Sequence, residues 1–402
     1  MTGLKNKDSL DSLDSLDASS VKKSFKINVD GVSIHVKRFN VESTITTGEP
    51  PFPPRGANIA VLKDGTVLLG GGERGGSVFA WNEHNQQLKF LGDVISPNQR
   101  VQADSRFGIT DIAVLCENKC SANLLISFPI LSKSNCVKVV VIRFIYDRTN
   151  SSLKKKEMWF KSSPCVKYPT TISSLSPFQS PVQHASGRME VINKHSIFLT
   201  VGDLGFNNLF DREKRGDLGS VFRITKKSAT RITRTRISQG HRNMQGVLLL
   251  NNKHLLVSEH GPKGGDELNL IDLTKPGVTD FGWPFVTYGT EYTPYDYVTP
   301  GKIGTHEGFA KPIKVWETAI APTELVRVPN GTFGKYSGGI AMGTLLARSL
   351  VFMRFKNKTI TDAKLVNVGE RIRDLDTLHG ERLIASTDSG QLLIFSSQRK
   401  SK

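Results

Sequence analysis

The chain repeats one unit six times, and this repeat restricts the possible folds more than any other feature of the sequence. Each unit is an apolar run, a tight turn and a second apolar run, as in residues 59–69 and 189–199. Anchored on the first run, the copies stand at positions 61, 113, 191, 249, 327 and 377, those at 113 and 327 being weaker. Short apolar runs separated by Gly, Asp, Asn and Ser predict strands.

Six such units, each with enough strands for a small antiparallel sheet, predict an all-β, six-bladed β-propeller with four-stranded antiparallel blades. A helical solenoid would show a 3.6-residue period, which is almost absent here. Two β-sandwiches in tandem are the alternative, although no linker near the middle would separate them. We place the propeller domain at residues 46–398.

Residues 1–45 differ from the rest of the chain. The triplet Asp-Ser-Leu occurs three times in succession over residues 8–16. Such polar, low-complexity sequence buries too little surface to offset its ordering entropy, which predicts a disordered tail, with a short amphipathic helix as the alternative. No apolar leader stands at the start, and no run reaches the ~18 residues that a membrane helix needs. The sequence does not specify the cellular compartment, and it does not distinguish a monomer from a homodimer.

The composition allows an anionic partner but does not specify one. The formal net charge is +17, from 54 Lys and Arg against 37 Asp and Glu. These basic residues are spread along the chain without aromatic interleaving, so a solvated basic surface is favoured and no nucleic acid is expected. The four cysteines, 116, 120, 136 and 165, support zinc weakly and leave open either two disulfides or free thiols.

Polar clusters stand directly after second strands or directly before first strands of the repeats. They are residues 184–188, 202–205, 240–246, 259–267 and 371–374. Because they recur at one position in the unit, we expect them to share one site at one mouth of the propeller channel.

The residue types in these clusters suggest a chemistry. Arginines near a channel mouth bind polyanions through bidentate contacts. The carboxylates and free carbonyls of residues 259–267 are hard oxygen ligands that suit calcium, and His184 is a candidate general base. Each of these features, taken alone, also has a purely structural interpretation. The histidine could be a core residue, the loop a simple turn, and the arginines a solvated strand face.

Three segments carry a family resemblance. Residues 240–246 read GHRNMQG, residues 258–270 read SEHGPKGGDELNL, and residues 282–284 read GWP. In this order they resemble the soluble quinoprotein glucose and aldose-sugar dehydrogenases, with the GGDELN form nearer to the aldose-sugar branch. The resemblance covers about residues 50–397 and is strongest from 181 onward.

The resemblance implies oxidation of the C1 hydroxyl of an aldose sugar to a lactone, with pyrroloquinoline quinone (PQQ) and Ca²⁺ as cofactors. It implies His184 as the general base, Asp203 as the group that orients the base or the substrate, and Arg242 beside the quinone oxygens. The implied cofactor contacts are Arg242, Asn243, Arg371, Arg373 and Arg348. The implied metal ligands are Gly261 and Pro262 through their carbonyls, with Asp266 and Glu267. The electron acceptor stays open.

Several positions depart from the pattern of this family. Gln183 stands where an acid usually precedes the base, and Arg106 stands where glutamine is usual. Leu346 replaces a lysine that contacts the cofactor, with Arg348 two positions on as the substitute. These changes bear on substrate choice and cofactor affinity. The alternative function is a cofactor-free propeller that binds a glycan or a protein, and a lactonase is a third.

Overall fold

The computed structural model describes residues 23–169, 180–290 and 300–397. In these ranges the chain forms strands and short 3₁₀ turns, without an α-helix. The turns are Glu42–Thr44, Pro97–Gln99, Pro181–His184 and Gly334–Tyr336. The first strands are β1 (Ser24–Val29), β2 (Val32–Asn40), β3 (Asn58–Val61), β4 (Val67–Gly71), β5 (Ser77–Trp81), β6 (Leu88–Asp93), β7 (Asp111–Glu117), β8 (Ser121–Leu131), β9 (Cys136–Asp147), β10 (Ser152–Lys161), β11 (Val166–Lys167), β12 (Ser186–Asn193), β13 (Ser196–Val201), β14 (Ser220–Lys226) and β15 (Ile232–Gln239). The others are β16 (Asn243–Asn251), β17 (His254–His260), β18 (Asp266–Asp272), β19 (Thr279–Asp280), β20 (Val286–Thr287), β21 (Lys302–Ile303), β22 (Lys314–Trp316), β23 (Pro322–Arg327), β24 (Ile340–Thr344), β25 (Ser349–Lys356), β26 (Thr359–Asn367), β27 (Ile372–Leu378), β28 (Arg382–Thr387) and β29 (Gln391–Ser397).

Six sheets form the blades of a propeller. Blades 1, 2, 3 and 5 are β3–β6, β7–β10, β12–β15 and β23–β26, and blade 4 is β16, β17, β18 and β22. Blade 6 is β27, β28, β29 and β2, with β1 outside. The first strands β3, β7, β12, β16, β23 and β27 contact one another in a closed ring. The predicted six-bladed propeller is confirmed, and the ring excludes two tandem sandwiches.

The predicted tail boundary at residue 45 is wrong, because β1 and β2 belong to blade 6. Strand β2 pairs with the last strand, from Ile34 opposite Ser397 to Asn40 opposite Gln391. Ile34 and Val36 are fully buried in the core beside blade 5. Their alternation with polar residues is a two-residue strand period that the polar composition obscured. The domain therefore includes these strands, and residues 1–22 lie outside the described residues.

Adjacent blades pack face to face, so the inner strands are buried on both sides. In β9, Val137, Val139 and Val141 point toward blade 3, whereas Val140 and Ile142 point toward blade 1. Strands buried on both faces are near-continuous apolar runs, which explains why the repeat is so visible in the sequence.

Buried charges lie where the innermost strands meet. In β3, β12 and β16, backbone N–H groups donate to carboxylates of an adjacent blade. Asp374 Oδ2 lies 2.8 Å from the Ile59 nitrogen, and Glu324 Oε1 lies 3.0 Å from the Val247 nitrogen. Arg188 bridges blades by donating to Glu324 and Asp374. Burial raises the pKa of Glu324 to about 8, although the charge of Arg188 opposes this.

The cysteines are divided between one bridge and two thiols. A disulfide joins Cys136, at the start of β9, to Cys165 in the loop after β10. Cys116 and Cys120 are free and exposed on the β7–β8 hairpin.

No helix within the described ranges is long and apolar enough to cross a membrane.

Candidate active site at the channel mouth

The polar clusters of the sequence share one face of the propeller. First and second strands of a blade are antiparallel, so the start of one lies beside the end of the other. His184 comes just before β12 and Asp203 just after β13, while Arg242 and Gly261 hold the same positions around β16 and β17. Arg371 directly precedes β27. The structure therefore brings these clusters to one mouth of the channel.

His184 and Asp203 form a buried pair. Nδ1 of His184 lies 2.8 Å from Oδ1 of Asp203. The carboxylate also accepts from the Gly205 nitrogen and from Nε1 of Trp283, each at 2.8 Å. Burial would raise the pKa of Asp203, but the adjacent His184 and Arg242 hold it below its usual range. An ionised carboxylate on Nδ1 keeps the proton there and leaves Nε2 as the basic nitrogen.

Local glycines allow the two loops to meet. A Cβ placed on Gly202 would lie 1.8 Å from the carbonyl oxygen of His184, so only glycine permits this approach. The next turn places Leu204 and Gly205 at φ values of +51° and +60°. The left-handed turn aims the Gly205 N–H back at Asp203.

Arg242 lies between the base pair and the loop after β17. Its Nη1 donates to the Gly261 carbonyl at 2.7 Å, and its guanidinium lies 5.5 Å from the ring centroid of Trp283. The Arg242 backbone nitrogen donates to Oε2 of Glu259 at 3.0 Å. Trp283 therefore joins Asp203 to Arg242, since its N–H holds the carboxylate and its ring faces the guanidinium.

Asp266 organises the loop that carries Gly261. Its Oδ1 accepts from the Gly261 nitrogen at 3.0 Å, and its Oδ2 accepts from the nitrogens of Ile320 and Ala321 at 2.7 and 2.8 Å. Both carboxylate oxygens are thus taken by backbone donors, which fasten the loop to the start of blade 5. The metal role predicted for Asp266 stays a prediction.

Glu267 has protein partners on both oxygens as well. Oε1 lies 2.8 Å from Nε2 of His306, and Oε2 accepts from Asn269 at 3.2 Å. Burial raises the pKa of Glu267. Within the described ranges, no group of three or more His, Cys, Asp or Glu side chains could hold a metal. The metal roles predicted for Gly261, Pro262 and Glu267 stay predictions.

Arginines of blade 6 gather around one carboxylate. Asp388 accepts from Nε of Arg371 at 3.0 Å and from Nε and Nη2 of Arg373 at 2.8 and 2.9 Å. Burial opposes ionisation, but Arg373 and Arg371 lower the pKa of Asp388 to about 2. Burial and the like charge of Arg373 lower the pKa of Arg55 to about 9, and Nε of Arg55 is sealed from solvent without an acceptor. Three guanidiniums thus surround the carboxylate of Asp388, and the remaining positive charge suits a polyanionic ligand.

The remaining predicted residues have separate surroundings. Asn243 is buried, and its Oδ1 accepts from Gln245 at 2.6 Å. Arg348 is exposed in the bend between β24 and β25, and its side chain makes no hydrogen bond or ion pair within the described part of the chain. The carbonyl of Arg348 accepts from the nitrogens of Val368 and Gly369, just before Arg371, and the cofactor role predicted for Arg348 stays a prediction. Leu346 is 57% exposed in the same bend.

Arg106 lies next to the base. Its Nη1 donates to Oε1 of Gln183 at 2.8 Å, and its Nε pairs with the buried Asp104 at 2.8 Å. The two departures noted at positions 183 and 106 thus contact each other directly beside His184.

Sequence reasoning missed three contributors to this site. Trp283 was part of a motif without a role, and its contacts with Asp203 and Arg242 come from another blade. Asp388 had no assigned role, because its contacts with Arg371 and Arg373 also depend on the fold. Arg55 had one available signal: it stands just before β3, the position that carries site residues in other blades.

Fold and site together define a six-bladed propeller with a histidine–carboxylate pair and a cationic mouth. The sequence model of the Glucose / Sorbosone dehydrogenase family matches residues 54–394, and the chain belongs to this family. The aldose sugar dehydrogenase YliI of Escherichia coli is 26% identical over 341 residues, covering 80% of this chain and 84% of that protein. An uncharacterized Synechocystis protein is 28% identical over 52% of this chain, and the match spans only 55% of that relative.

A solved structure agrees with the fold. The PQQ-bound aldose sugar dehydrogenase of Streptomyces coelicolor superposes with a TM-score of 0.61 at 20% identity, covering 90% of this chain and 98% of that one.

Proposed function

We propose that this chain is a PQQ- and calcium-dependent dehydrogenase that oxidises the C1 hydroxyl of aldose sugars to lactones. The observation that carries the proposal is the His184–Asp203 pair, 2.8 Å apart and at the same channel mouth as Arg242 and the blade 6 arginines. Family membership and the PQQ-bound relative support the choice of sugar and cofactor.

His184 is the general base of the proposed reaction. Its Nδ1–H is held by Asp203, so Nε2 is the atom that accepts the proton of the C1 hydroxyl. The Asp203 carboxylate stabilises the imidazolium that forms, as in other histidine–carboxylate pairs. Trp283 and Gly205 hold the carboxylate in place, so little reorganisation accompanies proton transfer.

The cationic mouth is proposed to hold the cofactor. PQQ, when bound, supplies a hydride acceptor, and calcium polarises it as a Lewis acid. Arg371, Arg373 and Arg55 would bind its carboxylates, since these three guanidiniums share Asp388 and leave positive charge over. Arg242 would stabilise negative charge developing on the oxygens of the acceptor.

Calcium would be held by the carbonyls of Gly261 and Pro262. Carbonyl oxygens are ordinary calcium ligands, and the loop is fixed by three backbone bonds to Asp266. Asp266 and Glu267 would act by shaping this loop and by adding negative charge near the cation.

Reconstitution tests the proposal. Purified chain is incubated with PQQ and CaCl₂, and dye reduction is followed with a panel of aldoses. In His184→Ala, cofactor binding should still quench the intrinsic tryptophan fluorescence. The kcat of this variant should fall by about 10²–10⁴-fold. His195→Ala, an exposed histidine of the β12–β13 hairpin, is the matched control and should keep full activity.

The outcomes separate the parts of the proposal. Equal turnover by His184→Ala would contradict the assignment of the base. Cofactor binding without sugar oxidation would overturn the substrate class alone. Absence of binding at micromolar PQQ would overturn the proposal and favour a propeller that binds a glycan or a protein.

A further inference from the structure

A buried arginine in blade 3 has no partner for its charge among the described residues. Arg215 lies in the loop between β13 and β14, and only 2% of its surface is exposed. Its side chain makes no hydrogen bond or ion pair within the described ranges, and Nε and Nη2 are sealed from solvent without an acceptor. Burial of an uncompensated ion is costly, so such groups are normally paired.

Asp280, the acid whose charge raises the pKa of Arg215, already has other partners. Asp280 accepts from the Gly282 nitrogen and from Gln239 Nε2, each at 3.0 Å, and it also pairs with Arg212. Asp280 therefore compensates Arg212, and Arg215 has no ion pair within residues 23–169, 180–290 and 300–397.

Further positive charge surrounds Arg215. Arg236 donates to the carbonyl of Gly216, the residue after Arg215. Arg236 Nε is buried without an acceptor. Asp217, the next acid along the loop, is occupied by the Ser163 nitrogen at 2.9 Å and by Arg234 at 2.7 Å.

The electrostatics agree with the geometry. Burial lowers the pKa of Arg215, and the charges of Arg212 and Arg236 lower it further, against the opposing effect of Asp280. A guanidinium nevertheless stays protonated at neutral pH, so this charge is uncompensated by the part of the chain that the structure describes. An anion held beside Arg215 would remove the penalty.

We propose that Arg215, with Arg212 and Arg236, forms a binding site for a small oxyanion of the phosphate, sulfate or carboxylate class. Planar guanidinium forks match oxyanions through paired N–H bonds, and the two acids of this region, Asp280 and Asp217, already pair with Arg212 and Arg234. The charge left over favours a ligand of one to two negative charges. The loop that carries Arg215 starts beside Asp203, which links this subsite to the candidate active site. The anion is therefore either free in solution or an acidic group on a sugar ligand. Only the second case rests on the proposed function.

Thermal unfolding of the full chain without cofactor tests the site. Inorganic phosphate is titrated at constant ionic strength against chloride. We expect a saturable rise in Tm for the wild type and for Arg223→Met, which removes an exposed charge from the same blade. Arg215→Met should bind phosphate at least about tenfold more weakly, and without phosphate it should be no less stable than the wild type.

Two results would overturn the site. One is a wild-type response to phosphate no larger than its response to chloride, which would mean that water fills the space beside the guanidinium. The other is a full phosphate response in Arg215→Met. If that variant does not fold, Arg215→Lys keeps the charge without the fork. It should then show severalfold weaker phosphate binding by calorimetry, and unchanged binding would equally refute the site.

A further experiment with sugars distinguishes a free anion from an acidic group on a sugar. Hexose 6-phosphate is compared with inorganic phosphate and with the neutral hexose by the same calorimetry. Tighter binding of the sugar phosphate, lost in Arg215→Lys, assigns the site to an acidic group on a sugar, whereas equal affinity assigns it to a free anion. None of these measurements uses PQQ or turnover, so their failure would leave the proposed dehydrogenase activity standing.

Discussion

Replacing Asp203 with asparagine tests the positioning of the base most directly. Oδ1 of Asp203 accepts from Gly205 and His184, and Oδ2 accepts from Trp283. An amide has one acceptor oxygen, so either Trp283 or Gly205 must face an NH₂ group. A buried donor without an acceptor costs about 1–3 kcal/mol, which is the expected loss of stability.

The effect on turnover should be larger than the effect on stability. An amide NH₂ turned toward His184 donates to Nδ1 and moves the ring proton to Nε2, where it blocks proton abstraction. The equivalent change in serine proteases lowers kcat by about 10⁴, and we expect a loss of about 10³–10⁴ here. Cofactor affinity should stay unchanged, because Asp203 acts through His184.

The assay measures kcat, KM and Tm as functions of pH. Because the pKa of Asp203 is depressed in the folded state, its stabilisation is present above its ordinary pKa of about 3.9 and is lost as pH falls through the folded-state value. The Tm gap between wild type and Asp203→Asn should therefore narrow below about pH 4. Asp211→Asn, a change at a partly exposed position of the same loop that keeps a capping oxygen, is the control.

A single outcome would refute the reasoning about the pair. If Asp203→Asn loses stability but keeps its kcat and its pH profile, then Asp203 is a packing residue and does not set the tautomer of His184.

Three other perturbations have defined outcomes. Arg373→Met removes two bonds to Asp388, so the pKa of Asp388 should rise and PQQ affinity should fall about tenfold or more in a fluorescence titration. Burial raises the pKa of Glu190 to about 7 in the folded state. The folded protein therefore loses stability as pH rises from the ordinary glutamate pKa of about 4.3 through about 7. Glu190→Gln keeps the acceptor for the Leu249 nitrogen and should reduce the fall in Tm across that range. Val36→Ala opens a cavity under blade 6 and should cost about 2 kcal/mol in denaturant unfolding.

The number of blades was predictable because it depends on local sequence. Inner strands such as β9 are buried on both faces, so they appear as apolar runs at regular spacing. The positions of His184, Asp203 and Arg242 within the repeat also predicted a common face, since strand direction alternates in every blade.

Closure of the ring was not predictable from the repeat. Strand β2 completes blade 6 from the opposite end of the chain, and its polar flanks resemble those of a tail. A strand that pairs with residues more than 350 positions away has no local signal for its partner.

The sequence by itself determined the six-bladed fold and its family, and it singled out His184 as the candidate base together with Arg242, Arg371 and Arg373. Tertiary structure alone decided that Trp283 connects Asp203 to Arg242 and that Arg55 joins the blade 6 arginines. It also decided that Arg215 is buried without a partner among the residues that the structure describes. The physical reason is that strand patterns arise from neighbouring residues, whereas the balance of buried charges depends on side chains that only the closed ring brings together.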